Sequence, residues 1–162
     1  MKTLYVFRHA KSSHKYSGIK DIDRPLSKRG INNTYLISKA LKSQIKCPDL
    51  VVTSCANRAL HTSVIFSQVF DYPMSNLKIS KELYSFSDGY LIKTIKALEN
   101  SFQKVAVFSH DHGVSTFVNK FGNRQIKHVP TCGVIGIQFD CKNWKDIKPG
   151  KTFLFEHPKL YK

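Results

Sequence analysis

Three short segments of this chain collect residue types that can do chemistry together: Arg8-His9-Ala10-Lys11-Ser12, Ser54-Cys55-Ala56-Asn57-Arg58 and Ser109-His110-Asp111-His112-Gly113. Two arginines offer planar forks, each able to hold a phosphate dianion through two parallel hydrogen bonds. A neutral imidazole nitrogen facing such a phosphoryl group is a competent nucleophile. A second imidazole, protonated, would stabilise the equatorial oxygens, because phosphoryl transfer depends mainly on positioning and on charge stabilisation. A neutral substrate would need none of this. Arg58 also falls in what reads as the first turn of a helix, where a cation opposes the helix dipole, so an anion is expected beside it.

The elements that must position these residues can be read around them. Each segment follows a short apolar run, at residues 3–7, 50–53 and 105–108. Runs that are continuously apolar rather than alternating suit central strands covered on both faces. Apolar positions recur at helical spacing over residues 27–45, with Ser27 as N-cap and Pro48 as a stop. A second stripe, Thr62, Ile65, Phe66 and Val69, ends at Asp71-Tyr72-Pro73. Further helices are predicted over residues 89–100 and about 112–121. Residues 134–139 and 152–155 read as a strand pair joined by the polar, Trp144-containing loop 140–151. The order β-α-β-α-α-β-α-β-β predicts one domain over residues 1–162. Its class is α/β, a three-layer α/β/α sandwich whose mainly parallel sheet has right-handed crossovers and an antiparallel edge strand. In such a sheet the three segments leave at the same carboxyl edge, where open α/β sheets bind ligands.

The 162 residues carry 26 Lys and Arg against 11 Asp and Glu, a net charge of +15, which points to anionic partners. The lysines are dispersed over helices and loops and no nucleic-acid motif is present, so nucleic acid is not the expected partner. No signal peptide or membrane span is evident, and the expected location is cytoplasmic, with the four cysteines reduced and packed as small hydrophobes. Other chemistries fail on composition. Gly150-Lys151-Thr152 lacks the upstream glycine of a phosphate loop, Lys145 standing in its place, and the residue six positions after each cysteine is never arginine. A metal site at His110-Asp111-His112 would place a cation among arginines, so no metal and no cofactor are expected. His14 and His112 are close enough in sequence to rim the pocket, whereas His61, His128 and His157 read as surface or packing residues.

Arg8-His9 after the first strand, Arg24-Pro25-Leu26-Ser27-x-x-Gly30, Ser54-x-Ala56-x-Arg58-Ala59-x-x-Thr62 and Ser109-His110 together resemble the histidine phosphatase superfamily, with its phosphoglycerate mutase-like fold. The Arg-His-Ala-Lys-Ser form, the short length and the tail from Thr131 to Trp144 are similar to the small SixA-type phosphohistidine phosphatases. The resemblance implies that His9 accepts the phosphoryl group, that Arg8, Arg24 and Arg58 bind phosphate, and that His110 completes the cage. Larger members supply a carboxylic proton donor from the segment that is here Lys81–Asp88. Glu82 and Asp88 are both candidates, and Ser85 is an alternative occupant of that position. A missing acid would favour P–N substrates, whose imidazole leaves readily once protonated. The short chain also leaves little room for a roof over the site. The expected substrate is a phosphorylated protein or phosphopeptide, with a small phosphoester as the alternative, and phosphate or sulfate could occupy the site. Two competing readings are a basic nucleic-acid-binding module and a phosphate-binding module without turnover.

Overall fold

The computed structural model describes all of Met1–Lys162. Its elements are β1 (Lys2–Arg8), α1 (Lys28–Lys42), β2 (Leu50–Ser54), α2 (Asn57–Val69), β3 (Lys78–Ser80), α3 (Gly89–Lys96), β4 (Lys104–Ser109), α4 (Gly113–Phe121), β5 (Val134–Phe139) and β6 (Lys151–Glu156). One six-stranded sheet runs in the order β3-β2-β4-β1-β5-β6. β1 to β4 are mutually parallel, and β5 pairs antiparallel with both β1 and β6.

The continuous apolar runs are explained by the two faces of the sheet. In β1, Leu4 and Val6 pack with α3 and α4 residues such as Leu91, Ile95, Val114 and Phe117, whereas Tyr5 and Phe7 pack with Ile37, Leu41, Ile65 and Phe66 of α1 and α2. Both sides of the strand are therefore core, and alternation has no polar phase to show. Phe7, Phe66 and Phe108 stack and edge into one another at centroid separations of 4.2–5.5 Å beneath the site.

Four sequence expectations need correction. β3 was not expected. It is three residues long with exposed or half-buried side chains, too short for any periodicity. The first and third helices stop early, at Lys42 and Lys96, because Ser43–Gln44 and the residues after Ala97 turn away from helical pairing. The 140–151 loop is not simply polar, since Trp144 is fully buried and its indole N–H donates to the Phe102 carbonyl at 2.8 Å. Of the cysteines only Cys132 is buried; Cys55 and Cys141 are half-buried, Cys47 is exposed, and all four are free thiols.

Candidate active site

Register brings the site together. Arg8 of β1 pairs with Ser109 of β4, and Thr53 of β2 lies opposite Phe108, so the three strands end side by side. β1 and β4 are neighbours, yet β1 leads into α1 on one face and β4 into α4 on the other. His9 and His110 sit at this switch point, with ring centroids 5.1 Å apart.

The motif residues around the two histidines have visible structural duties. A Cβ on Gly30 would lie 2.1 Å from the Lys11 carbonyl oxygen, so only glycine lets α1 press against the Arg8-His9 loop. Ser27 caps α1 by accepting from the Gly30 N–H at 3.1 Å, and its own N–H donates to the same Lys11 carbonyl at 2.9 Å. This brings the Arg24 loop against the His9 loop. Thr62 accepts from the Ala10 N–H at 3.0 Å and donates to the Arg58 carbonyl at 2.7 Å, tying that loop to α2. Ser109 donates to the Leu83 carbonyl at 3.0 Å.

His9 is 8% exposed, and its Nδ1–H donates to the Ala10 carbonyl at 2.8 Å. That bond fixes the tautomer, leaving the Nε2 lone pair to accept from Arg58 Nε at 3.3 Å. Burial pushes the His9 pKa down to about 4; the Ala10 bond opposes this, and Arg58, Arg8 and Arg24 add to it. His9 is thus a neutral imidazole at pH 7, surrounded by three guanidinium groups.

His110 corrects the expectation of a protonated partner. Burial, then the neighbouring His9 and Arg58, push its pKa down to about 3, with Asp21 pulling the other way. Its Nε2 lies 2.8 Å from Ser54 Oγ. Ser54 Oγ accepts from the Ala56 N–H, and Nε2 is the one acceptor its own hydroxyl proton meets, so Ser54 donates to Nε2 and the neutral ring carries its hydrogen on Nδ1. That nitrogen is buried without a partner, as are Arg8 Nε and Arg24 Nε. Three residues of the cage therefore hold buried, unspent donors, which polar groups in a folded interior rarely are.

Asp21 and Tyr84 were not singled out in the sequence. Arg58, only 3% exposed, donates from one terminal nitrogen to the Asp21 carbonyl at 2.8 Å and from the other to the Asp21 carboxylate at 3.1 Å. Arg24 donates to the same carboxylate, and the Tyr84 hydroxyl donates to it at 2.5 Å. Asp21 thus sets a carboxylate beside the Arg58 cation, which opposes the dipole of its own helix. Tyr84's bond and the two arginines hold its pKa below the usual carboxylate range. The motif offered no signal for it, because Asp21 sits on a 3-10 turn, Asp21–Asp23, three residues before the motif's arginine.

Arg8 is held by the Val129 carbonyl at 3.0 Å, by His128 at 3.3 Å and, more loosely, by Asp111 at 3.9 Å. His128, read from sequence as surface or packing, is a support of the cage. His14 touches Arg24 at 3.1 Å, on the rim as expected, and His112 is solvent-exposed beside Asp111. Neither proton-donor candidate bonds to a cage residue: Glu82, exposed in a cleft beside Tyr84, pairs with Lys93 at 3.5 Å, and half-buried Asp88 pairs with Lys120 at 2.9 Å. Ser85 meets Ser87 rather than the cage. No group of three or more His, Cys, Asp or Glu side chains has metal-binding geometry.

The solved structure of the protein histidine phosphatase SixA complexed with tungstate superposes with a TM-score of 0.84 over 99% of both chains at 21% identity. This is the SixA fold. An Agrobacterium tumefaciens protein described as a putative phosphohistidine phosphatase SixA gives a TM-score of 0.81 at 20% identity, over 97% of this chain and 98% of that one. Among curated sequences, an uncharacterized protein of Mycobacterium tuberculosis is 28% identical over 153 residues, covering 88% of this chain and 92% of its own. No family model matches the chain. The SixA-like sheet carries the cage on the edge where the three sequence segments emerge.

Proposed function

We propose that this protein is a metal-independent phosphatase that works through a phosphohistidine intermediate on His9, with phosphohistidine in a protein as its substrate. The observation that carries this reading is a neutral His9 whose Nε2 lone pair faces Arg58 inside a cage with unspent N–H donors on Arg8, Arg24 and His110. Such a cage suits a tetrahedral dianion and repels a metal cation.

His9 Nε2 attacks phosphorus, and the bond from phosphorus to the leaving atom breaks with its electron pair going to the leaving group. Arg8, Arg24, Arg58 and the His110 Nδ1–H take up the charge on the three equatorial oxygens. A phosphoimidazole protonated on its distal nitrogen departs as a neutral ring and needs no acid from the protein. An alkoxide would need one, and Glu82 and Asp88 are ion-paired with Lys93 and Lys120. Water then attacks phosphorus, the P–Nε2 bond breaks, its pair returns to His9, and phosphate leaves.

The openness of the site supports a macromolecular substrate. The cage is flanked by an open cleft of about 220 Å³ at His14, Tyr16, Ile19, Asp21 and Arg24 and by another of about 370 Å³ at Lys81, Glu82, Tyr84, Ser85 and Tyr90. The test is to assay a phosphohistidine peptide beside a panel of phosphomonoesters, with and without chelator, and to trap an acid-labile phosphoenzyme. Preferred, chelator-resistant cleavage of the peptide with label on His9 is expected. Phosphate binding without turnover would leave a binding module, and faster cleavage of small esters would make the protein a phosphomonoesterase.

A further inference from the structure

The segment between β3 and α3 brings aromatic rings to the cage in place of an acid. Tyr84 and Phe86 each meet the His110 ring edge-on, at 5.4 and 5.5 Å, and meet each other at 5.7 Å. Tyr84 also lies 6.0 Å from the Arg58 guanidinium. Tyr84 is partly covered, while Phe86 is 53% exposed and leaves much of its ring open to solvent beside His110.

The posture is imposed by the backbone. Ser109, next to His110, holds the Leu83 carbonyl at 3.0 Å. On the far side a Cβ on Gly113 would stand 2.5 Å from the Ser87 carbonyl oxygen, so α4 and the segment approach as closely as glycine allows. Lys120 on α4 clasps Asp88 at 2.9 Å. Residues 83–88 are thus pinned at both ends to the strand–helix junction that carries His110, and between the pins Phe86 lies against the His110 ring with its outer part in solvent.

We infer that Phe86, backed by Tyr84, is the specificity-determining wall against which the leaving group lies, and that it selects planar leaving groups, imidazole or aryl, over alkyl alcohols. A flat ring leaving from the phosphoryl site can lie against the exposed phenyl face or edge, and such pairs add to simple area burial. A serine or sugar carbon presents no such face. This rests on the reading of the cage as a phosphoryl site and narrows it to a class of leaving group.

The test compares Phe86→Ala and Phe86→Leu with the parent protein on a phosphohistidine peptide, phenyl phosphate and a phosphoserine peptide. Comparing variant with parent on each substrate cancels intrinsic leaving-group reactivity. Phe86→Ala should reduce the preference for the two planar leaving groups over phosphoserine, taken as a ratio of kcat/KM values, by about tenfold, and Phe86→Leu by less. An equal loss on all three substrates would overturn the wall. Binding of phenylphosphonate and methylphosphonate reads the same preference without turnover: the aryl compound should bind about tenfold tighter to the parent, and the gap should close in Phe86→Ala. If neither protein hydrolyses anything but the gap behaves so, the phosphatase reading fails and the wall stands. Equal binding of both phosphonates to the parent overturns the wall whatever the enzyme does.

Discussion

Two cations are buried at opposite ends of this sheet, and their surroundings differ in a telling way. At the amino edge, Lys2 is fully buried: its Nζ donates to the Asn100 and Phe102 carbonyls, the latter at 3.1 Å, and lies 5.6 Å from the Trp144 ring. At the carboxyl edge Arg58 is nearly as buried, yet it meets a solvent-reachable carboxylate on Asp21 and the lone pair of His9. The amino-edge charge is enclosed by backbone dipoles. The carboxyl-edge charge is surrounded by other cations and by donors with nothing to donate to. Burying a charge is costly wherever it occurs. One end uses it to close the fold, and the other keeps it available to an anion.

Several substitutions sharpen or break this contrast. His9→Ala should reduce turnover to background while leaving the thermal unfolding midpoint nearly unchanged; retained hydrolysis would remove His9 as nucleophile. Arg58→Ala should cost about 10² to 10³ in kcat, as loss of one charge-stabilising donor does elsewhere, and normal turnover would break the cage. Lys2→Met should show the opposite pattern: stability falls by roughly 1.5–3 kcal/mol, as for lost hydrogen bonds to a charged group, with kcat unchanged in the folded fraction.

Acid should act on the carboxyl edge first. His9 and His110 have folded pKa values of about 4 and about 3, below the ordinary 6.5, so the unfolded chain binds protons that the folded one refuses. Stability should therefore decline as pH falls below 6.5, with the His9 share complete near 4 and the His110 share near 3. Turnover should lose its nucleophile only near pH 4, which a kcat/KM profile would reveal; an acid limb near 6.5 would contradict the buried neutral imidazole. The smallest effect is expected at Asp21, whose carboxylate is 45% exposed. Asp21→Asn removes an anion that competes for Arg24 and Arg58, so inorganic phosphate should inhibit up to about fivefold more tightly, in keeping with a partly exposed ion pair.

What was legible in the sequence is what short-range chemistry controls. The apolar runs at 3–7, 50–53 and 105–108 became β1, β2 and β4 because both of their faces are core, and Ser27 capped α1 because its hydroxyl needs only the N–H three residues on. Knowing that these strands are parallel is enough to send Arg8-His9, Arg58 and His110 to one edge. Other features depended on through-space distance alone. Asp21 meets Tyr84 across 63 positions of chain, Arg8 meets His128 across 120, and Glu82 and Asp88 are taken up in ion pairs with Lys93 and Lys120. The protonation state of His110 was likewise settled by burial and by the cations around it. Periodicity and capping act within a turn or two of backbone, whereas charge, desolvation and ring contacts act between whatever the fold makes neighbours. The order of the elements was therefore written in the chain, and the electrostatics of the cage and the wall at its mouth were decided by packing.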